Sequence, residues 1–158
     1  MIRQFKPEDS GECCRLYRSC IEQDGSLQQP LRDELLRTES PETMAERARL
    51  FYIAVHETEG RIAGLGGIDL NEIRLLFVAP ENRGRGIGRQ LLQHLEEMAP
   101  RALFRNIFVY ATPGAAGFYQ AHGYAPGGEH VFRVGRHDLH TLFMSKNRNR
   151  GRYPIFPK

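Results

Sequence analysis

Three glycines alternate with larger residues in the run Arg83-Gly84-Arg85-Gly86-Ile87-Gly88-Arg89. Because glycine has no Cβ atom, successive backbone N–H groups and the N-terminus of a following helix can approach phosphate oxygens closely. The run therefore predicts a loop that binds a pyrophosphate group. The alternative interpretation is a glycine-rich turn whose arginines face solvent.

The spacing of this loop excludes the two most familiar nucleotide-binding patterns. A dinucleotide fingerprint would need a glycine at position 89, where the chain has arginine. A mononucleotide P-loop would need Gly-Lys followed by Ser or Thr, and the run lacks that sequence. The pyrophosphate must therefore belong to a ligand of another class.

The loop lies between a predicted strand and a predicted amphipathic helix. The segment Glu72–Ala79 is apolar at positions 73 and 75–78, which predicts a central strand buried on both faces and ended by Pro80. Beyond the loop, apolar residues recur at helical spacing until Pro100, at Ile87, Leu91, Leu92, Leu95 and Met98. This order of strand, loop and helix supports the phosphate-binding interpretation.

The rest of the pattern predicts a mixed α/β fold with antiparallel outer strands and a parallel centre. Further helices are predicted to begin near Asp9, to cover 31–37 and 41–49, and to end at His122. Further strands are predicted around Ile2 and Phe5 and at Phe51–Glu57, Arg61–Ile68, Asn106–Ala111, Val131–Val134 and Leu139–Met144.

Length and composition favour one domain at 1–146 followed by a basic and apolar tail at 147–158. The chain has 158 residues, of which 41% are hydrophobic, and a mean hydropathy of −0.49. It has no apolar run long enough for a membrane span and no secretory signal, so we expect a cytoplasmic protein that does not bind membranes. The net charge of +3 arises from basic residues near the end of the chain, which argues against a nucleic-acid-binding face on the domain.

The three cysteines, Cys13, Cys14 and Cys20, lie within eight positions of one predicted helix. They cannot form a disulfide framework across the fold, which fits a reducing compartment. We expect them to be small buried apolar groups rather than reactive thiols or metal ligands.

Two segments resemble motifs of the GNAT superfamily of N-acetyltransferases. Arg83-x-x-Gly86-x-Gly88, after Leu76-x-Val78-x-Pro80 and before Leu91-Leu92, is similar to the acyl-CoA-binding signature of that superfamily. The segment from Phe118-Tyr119 to Gly123-Tyr124 resembles its later aromatic motif, and the predicted element order from residue 1 to about 146 follows its fold.

The resemblance implies that acetyl-CoA is the cosubstrate and lies where the Glu72–Ala79 and Asn106–Ala111 strands splay apart. It implies that the pantetheine arm pairs with the backbone of Leu76, Phe77 and Val78, and that the pyrophosphate binds the 83–89 loop, at Arg83, Gly84, Arg85, Gly86, Ile87, Gly88 and Arg89. Thr112 stands where members often have asparagine near the pantetheine arm, and it can still donate a hydrogen bond.

Acetylation of an amine requires a group that accepts the amine proton, an oxyanion donor and an acid for the departing thiolate. Glu72 precedes Arg83 by 11 positions, where some family members have a catalytic glutamate; the alternative is a solvent-facing Glu, and Asp69 is the reserve base. Tyr119 matches the family tyrosine and is the expected acid for the thiolate. The alternative is that its ring simply packs the helix against the sheet. The expected oxyanion donor is the backbone N–H near Val78.

Histidines do not suggest a metal site in this sequence. His137, Asp138 and His140 fall in a predicted hairpin turn and its exit strand, where solvated side chains are the expected outcome. His122 is expected at a helix end, near the last carbonyl groups. We therefore expect no metal cofactor.

The predicted function is transfer of an acetyl group from acetyl-CoA to a primary amine of a small molecule or peptide, by direct attack in a ternary complex. The alternatives are a non-catalytic acyl-CoA sensor and, through the tail alone, nucleic-acid binding. Acidic residues outnumber basic ones in 21–37 and 127–140, which favours a cationic acceptor; the acids are Glu22, Asp24, Asp33, Glu34, Glu129 and Asp138.

The tail combines a basic half with an apolar end. The half from Lys146 to Arg152 is predicted to be disordered. The apolar end is expected to dock in a groove of the same domain or of a second protomer through Tyr153, Ile155 and Phe156. Docking on a second protomer would form a homodimer.

Overall fold

The computed structural model describes residues 1–148 and contains a seven-stranded mixed sheet flanked by helices. The helices are α1 (Ser10–Glu22), α2 (Gln29–Arg37), α3 (Pro41–Leu50), α4 (Ile87–Met98) and α5 (Ala116–Ala121). The strands are β1 (Ile2–Gln4), β2 (Tyr52–Thr58), β3 (Arg61–Asp69), β4 (Glu72–Val78), β5 (Asn106–Ala111), β6 (Ala125–Val134) and β7 (His137–Asn147).

The strand order is β1-β2-β3-β4-β5-β7-β6, and every neighbouring pair is antiparallel except β4 and β5. The predicted mixed sheet with a parallel centre is confirmed. The ladder between β4 and β5 covers two residue pairs, Glu72 with Phe108 and Ile73 with Val109. The two central strands therefore part after Ile73.

A β-bulge in β4 accompanies this parting. Gly67 pairs with Leu75 and the next residue, Ile68, pairs with Ile73, so Arg74 is an extra residue on β4. A bulge bends its strand and increases the local twist. The bend directs the second half of β4 away from β5.

Each face of the sheet is covered by its own group of helices. Helices α1, α2 and α3 pack one core against β2, β3 and β4, and helices α4 and α5 pack the other. Helix α4 lies close to β3, where a Cβ at Gly64 or Gly66 would come within 3 Å of a leucine of α4. Larger residues at these two positions would require Leu91 and Leu95 to move.

Most predicted elements agree with the structure, and the differences lie at the cavity and at the last hairpin. Strand β4 is not buried on both faces: Arg74 is exposed and Leu76, Phe77 and Val78 are only half-buried, because they border a cavity described below. Strand β6 begins at Ala125 rather than Val131. Its first half is exposed and contains proline and two glycines, so it carries no alternating apolar signal.

The first residues of the predicted disordered segment are held by the domain, which corrects that prediction for them. Lys146 belongs to β7 and its ammonium lies 3.2 Å from a Glu96 carboxylate oxygen. The Arg148 guanidinium donates to the carbonyl oxygens of Glu96, Ala99 and Phe104, at and beyond the end of α4. The expected docking residues Tyr153, Ile155 and Phe156 lie outside the described residues.

The predicted burial of the three cysteines is confirmed. Cys13, Cys14 and Cys20 are free thiols buried in α1. Burial raises the pKa of the Cys13 thiol to about 12. All helices within residues 1–148 are too short or too polar to cross a membrane.

One buried ion pair links the segment before α3 to the last turn of that helix. Glu39, whose side chain is 1% exposed, accepts hydrogen bonds of 2.8 and 2.6 Å from the two terminal nitrogens of Arg47. The Arg47 guanidinium lies over the ring of Tyr17 at 5.4 Å from its centroid. Glu39 therefore holds the Arg47 guanidinium in place over Tyr17 of α1, and both Arg47 and Tyr17 line the cavity described below.

Replacing Glu39 with alanine should lower the free energy of unfolding by about 3 kcal/mol, because the Arg47 charge then stays largely buried without its partner. Asp138→Ala is the matched control, since its ion pair with Arg133 is 50% and 68% exposed and should contribute less than about 1 kcal/mol. Urea unfolding followed by circular dichroism measures both. An equal loss of unfolding free energy in the two variants would contradict the prediction that the buried pair stabilises the fold more than the exposed one.

Candidate functional site

A cavity of about 970 Å³ opens where β4 and β5 part. Among the residues predicted to bind the cosubstrate, those that line it are Leu76, Phe77, Val78, Arg83, Gly84, Gly86, Ile87, Gly88, Arg89, Thr112 and Tyr119. Arg85 instead borders a smaller recess with Thr58, Glu59 and Arg61. The structure thus gathers residues from β4, the glycine loop and α5 around one space.

The backbone of β4 presents alternate residues to this cavity. The Ala79 N–H donates to the Ala63 carbonyl at 2.8 Å, so Ala79, Phe77 and Leu75 face β3 in the antiparallel ladder. The N–H and C=O groups of Leu76 and Val78 therefore point to the side where β5 has parted. The Val78 carbonyl already accepts bonds of 3.3 Å from the Cys20 thiol and the Arg83 Nε, whereas its N–H faces the gap.

The glycine loop has a backbone that favours glycine. Gly84 and Gly86 have φ angles of 79° and 82°, in the left-handed region where a Cβ is strained. Gly86 is the N-cap of α4, and its carbonyl accepts the Gln90 N–H at 3.0 Å. The N–H groups of Ile87, Gly88 and Arg89, in the first turn of α4, have no acceptor within the helix and can bind an anion.

Helix α5 brings Tyr119 to the cavity from the other side of the gap. Tyr119 is 5% exposed, and its ring lies edge-on to Phe118 and Tyr124, with centroids 5.3 and 5.4 Å away. Burial raises the pKa of its hydroxyl above the ordinary tyrosine value, with no contribution from a charge or hydrogen bond. The phenol is therefore held in its protonated form.

Glu72 lies beside the cavity rather than in its wall. It pairs with Asp69 and Phe108 at the start of β4, before the bulge, where β4 and β5 are still joined. Partial burial raises the pKa of its carboxyl, and the Arg74 guanidinium, 3.8 Å away, opposes that shift. The structure therefore does not bring Glu72 and Tyr119 to one wall.

Sequence reasoning missed several polar residues of the cavity wall, among them Tyr17, Arg47 and Arg74. Burial raises the pKa of Tyr17 to about 12, and its ring packs edge-on against Phe77 at 5.1 Å. Arg74 could have been found from the sequence, because it is a charged residue inside an otherwise apolar strand. Nothing local in the sequence indicates that Arg47 of α3 reaches the same space.

The acidic residues that favoured a cationic acceptor are engaged locally. Glu34 binds Arg37 at 2.6 Å, Asp138 binds Arg133 at 2.9 Å, and Glu129 binds His140 at 2.6 Å. Asp24 is the member of that set that lines the cavity, and its carboxylate accepts from the Ser26 hydroxyl at 2.6 Å. The local excess of acid therefore does not become a negative cavity wall.

The histidines also have local partners. His122 Nδ1 lies 2.8 Å from the Phe118 carbonyl at the end of α5, as expected of a helix-end residue. His140 is exposed and faces Glu129. Within residues 1–148, no group of three or more His, Cys, Asp or Glu side chains is arranged to hold a metal ion.

Comparison with known proteins identifies the family of this domain. The sequence model of the acetyltransferase (GNAT) domain matches residues 22–140, which is most of the chain. The protein belongs to the GNAT acetyltransferase family. A search of the curated proteins found no significant match.

Solved structures of GNAT proteins share the fold. A GCN5-related N-acetyltransferase from Rhodopseudomonas palustris superposes with a TM-score of 0.88 at 21% identity, over 94% of this chain and 95% of that one. A phosphinothricin acetyltransferase from Sinorhizobium meliloti, in complex with acetyl-CoA, gives 0.71 at 24% identity, over 93% and 87%. PaiA N-acetyltransferase from Thermoplasma acidophilum, in complex with coenzyme A, gives 0.72 at 19%, over 94% and 98%.

Two of the buried tyrosines of this GNAT domain, Tyr119 and Tyr124, should differ in their contribution to stability. Tyr124→Phe removes a hydrogen bond of 2.7 Å to the Glu96 carboxylate and should cost about 1.5–3 kcal/mol. Tyr119→Phe should cost less than about 0.5 kcal/mol, because burial alone raises the pKa of its hydroxyl and the substitution breaks no hydrogen bond with a described residue. Urea unfolding compares the variants, and a large loss in Tyr119→Phe would mean that its hydroxyl serves the fold.

Proposed function

We propose that this protein is an N-acetyltransferase that transfers the acetyl group of acetyl-CoA to a primary amine of a small molecule or peptide, by direct attack in a ternary complex. One observation carries the proposal: a single cavity joins the gap-facing backbone of β4, the anion-binding start of α4 and the buried phenol of Tyr119. These are the groups needed to hold an extended acyl thioester with a pyrophosphate.

The fit of acetyl-CoA follows from the chemistry of the wall. The N–H and C=O groups of Leu76 can pair with the amides of a pantetheine arm, as a further strand would. The N–H groups after Gly86 and the exposed Arg83 and Arg89 can bind the pyrophosphate. Arg85, on the other side of the loop, can contribute charge but not a wall contact. Thr112, in the wall before α5, can donate to the arm.

The proposed reaction assigns one role to each remaining group. The amine nitrogen attacks the thioester carbonyl carbon, and the oxygen that becomes negative accepts the gap-facing N–H of Val78. When the carbon–sulfur bond breaks, Tyr119 donates its proton to the sulfur. Burial keeps the Tyr119 phenol protonated across the neutral range, so that proton is available.

The amine must lose a proton, and the proposed acceptor is the Glu72 carboxylate acting through an intervening water. Glu72 is not among the residues that line the cavity, which favours a proton path through water over direct contact. Desolvation raises its pKa, which makes it a better base than an exposed glutamate. Asp69, whose carboxylate lies 3.6 Å from Arg74, is the reserve.

The position of Glu72 also favours the second candidate, a non-catalytic acyl-CoA sensor. A sensor needs the loop, the β4 backbone and the apolar gap, but no base beside the acyl group. Release of free thiol from acetyl-CoA, measured with a panel of amines, separates the two functions. Acetyl-CoA binding without acceptor-dependent thiol release would support the sensor.

Gly86→Glu should weaken binding of acetyl-CoA at least 30-fold, because the side chain is strained at positive φ and places a carboxylate where the pyrophosphate is proposed to bind. Gly117→Ala is the matched control: a Cβ at Gly117 meets nothing within 4 Å. Isothermal titration measures both affinities. Unchanged affinity in Gly86→Glu would place the pyrophosphate elsewhere.

The pH profile of kcat/KM for Glu72→Gln and the turnover of Tyr119→Phe should separate the roles of the two residues. Glu72→Gln should remove the acidic limb, which lies above the ordinary glutamate range because the pKa of Glu72 is raised and the base works only when deprotonated. Tyr119→Phe should lower kcat about 100-fold with little change in the KM for acetyl-CoA. An acidic limb that survives in Glu72→Gln would assign the base elsewhere.

A further inference from the structure

We propose that the acceptor is an amine that also carries a carboxylate, and that the Arg74 guanidinium binds this carboxylate. The inference rests on the proposed acetyl transfer and names its substrate class. Three observations support it: the position of Arg74 at the β4 bulge, the contacts that orient its guanidinium, and the N–H donors that these contacts leave available.

The bulge gives Arg74 its position. Arg74 is the extra residue of β4, located directly after the last pair that joins β4 to β5. Arg74 lines the cavity, whereas its neighbour Glu72 does not. A bulge is a means of re-aiming one side chain next to a site, and here it directs a cation to the beginning of the gap.

Two kinds of contact orient the guanidinium without using its donors. Its carbon lies 5.4 Å from the centroid of the Phe51 ring, over which the group is placed. Its Nη1 lies 3.6 Å from Asp69 and 3.8 Å from Glu72, distances that attract the charge but are too long for hydrogen bonds. With 45% of its side chain exposed, Arg74 can therefore offer a planar pair of N–H groups to an acid.

The other arginines of the cavity wall bind a different group or lie at the glycine loop. Arg47 uses both terminal nitrogens on Glu39. Arg83 donates its Nε to the Val78 carbonyl beside the glycine loop, and Arg89 belongs to the first turn of α4. Both lie at the proposed pyrophosphate site. Arg74 is thus the wall arginine with donors available away from the glycine loop.

The surroundings favour an acceptor with an apolar side chain. The connection between α1 and α2, helix α2 and strand β7 contribute Leu27, Leu35 and Leu139 to the cavity, and β4 and β5 contribute Phe77 and Tyr110. Apolar walls strengthen the pairing of a carboxylate with a guanidinium. An α-amino acid with an aliphatic or aromatic side chain has the required amine, acid and apolar group.

Matched acceptors that differ only in the acid test the inference. Leucine is compared with leucinamide and isoamylamine, and phenylalanine with phenylalaninamide and phenethylamine, each at equal concentration of free amine. We expect kcat/KM for the two amino acids to exceed that for their amides and amines at least tenfold. The readout is thiol release from acetyl-CoA.

Arg74→Gln should lower kcat/KM for the amino acids 10- to 100-fold more than for the amides and amines, mainly through KM; a change shared by all six acceptors reports the loss of the Arg74 charge beside Glu72. Arg74→Lys, which keeps the charge but loses the planar pair of donors, should fall between the two. Arg133→Gln, at an exposed arginine of the last hairpin, is the matched control and should change none of the six acceptors.

Binding of acetyl-CoA, measured by titration for every variant, separates this inference from the proposed function. Failure of the wild-type protein to bind acetyl-CoA would overturn the proposed function itself. If acetyl-CoA binds, three results overturn the carboxylate assignment alone: no acetylation of either amino acid, amides or amines used as well as the acids, or an equal loss for all acceptors in Arg74→Gln.

Discussion

The parting of β4 from β5 is the constraint on which the rest of the molecule depends. A backbone N–H or C=O buried without a partner costs free energy, so two central strands do not separate unless something else uses their free edges. Here the ladder stops after two residue pairs, and a bulge at Arg74 bends β4 away. Leu76 and Val78 then present backbone groups to the cavity, which is what an extended ligand needs.

Packing on both faces of the sheet keeps this gap open. On one face, α4 lies close against the glycines of β3, which sets the position of its N-terminus and of the loop before it. On the other face, Tyr17 of α1 packs against Phe77, and the Arg47 guanidinium of α3, bound by Glu39, lies over the Tyr17 ring. The cavity is thus bordered by two separate cores, and neither fills it.

Charge in this protein is organised by local pairing. Glu34 of α2 and the acidic residues of the last hairpin are paired with arginine or histidine neighbours, and Asp33 accepts from the Gln29 amide, so they contribute little to the field in the cavity. The arginines of the wall have distinct surroundings: one is bound by a buried glutamate, others lie at the glycine loop, and Arg74 is oriented by an aromatic ring and by carboxylates too distant to bond. Composition alone could not distinguish these environments.

The features that the sequence determined by itself are local ones. The glycine loop, the amphipathic stripe of α4, the order of elements and the cavity position of Tyr119 could be predicted, because each depends on residues within one turn, one strand or one motif. The bulge at Arg74, the exclusion of Glu72 from the wall, and the arrival of Arg47 and Tyr17 in the same cavity were decided by the tertiary structure. They depend on the register between strands and on contacts between distant segments, and a one-residue shift in register changes which side chains share a face.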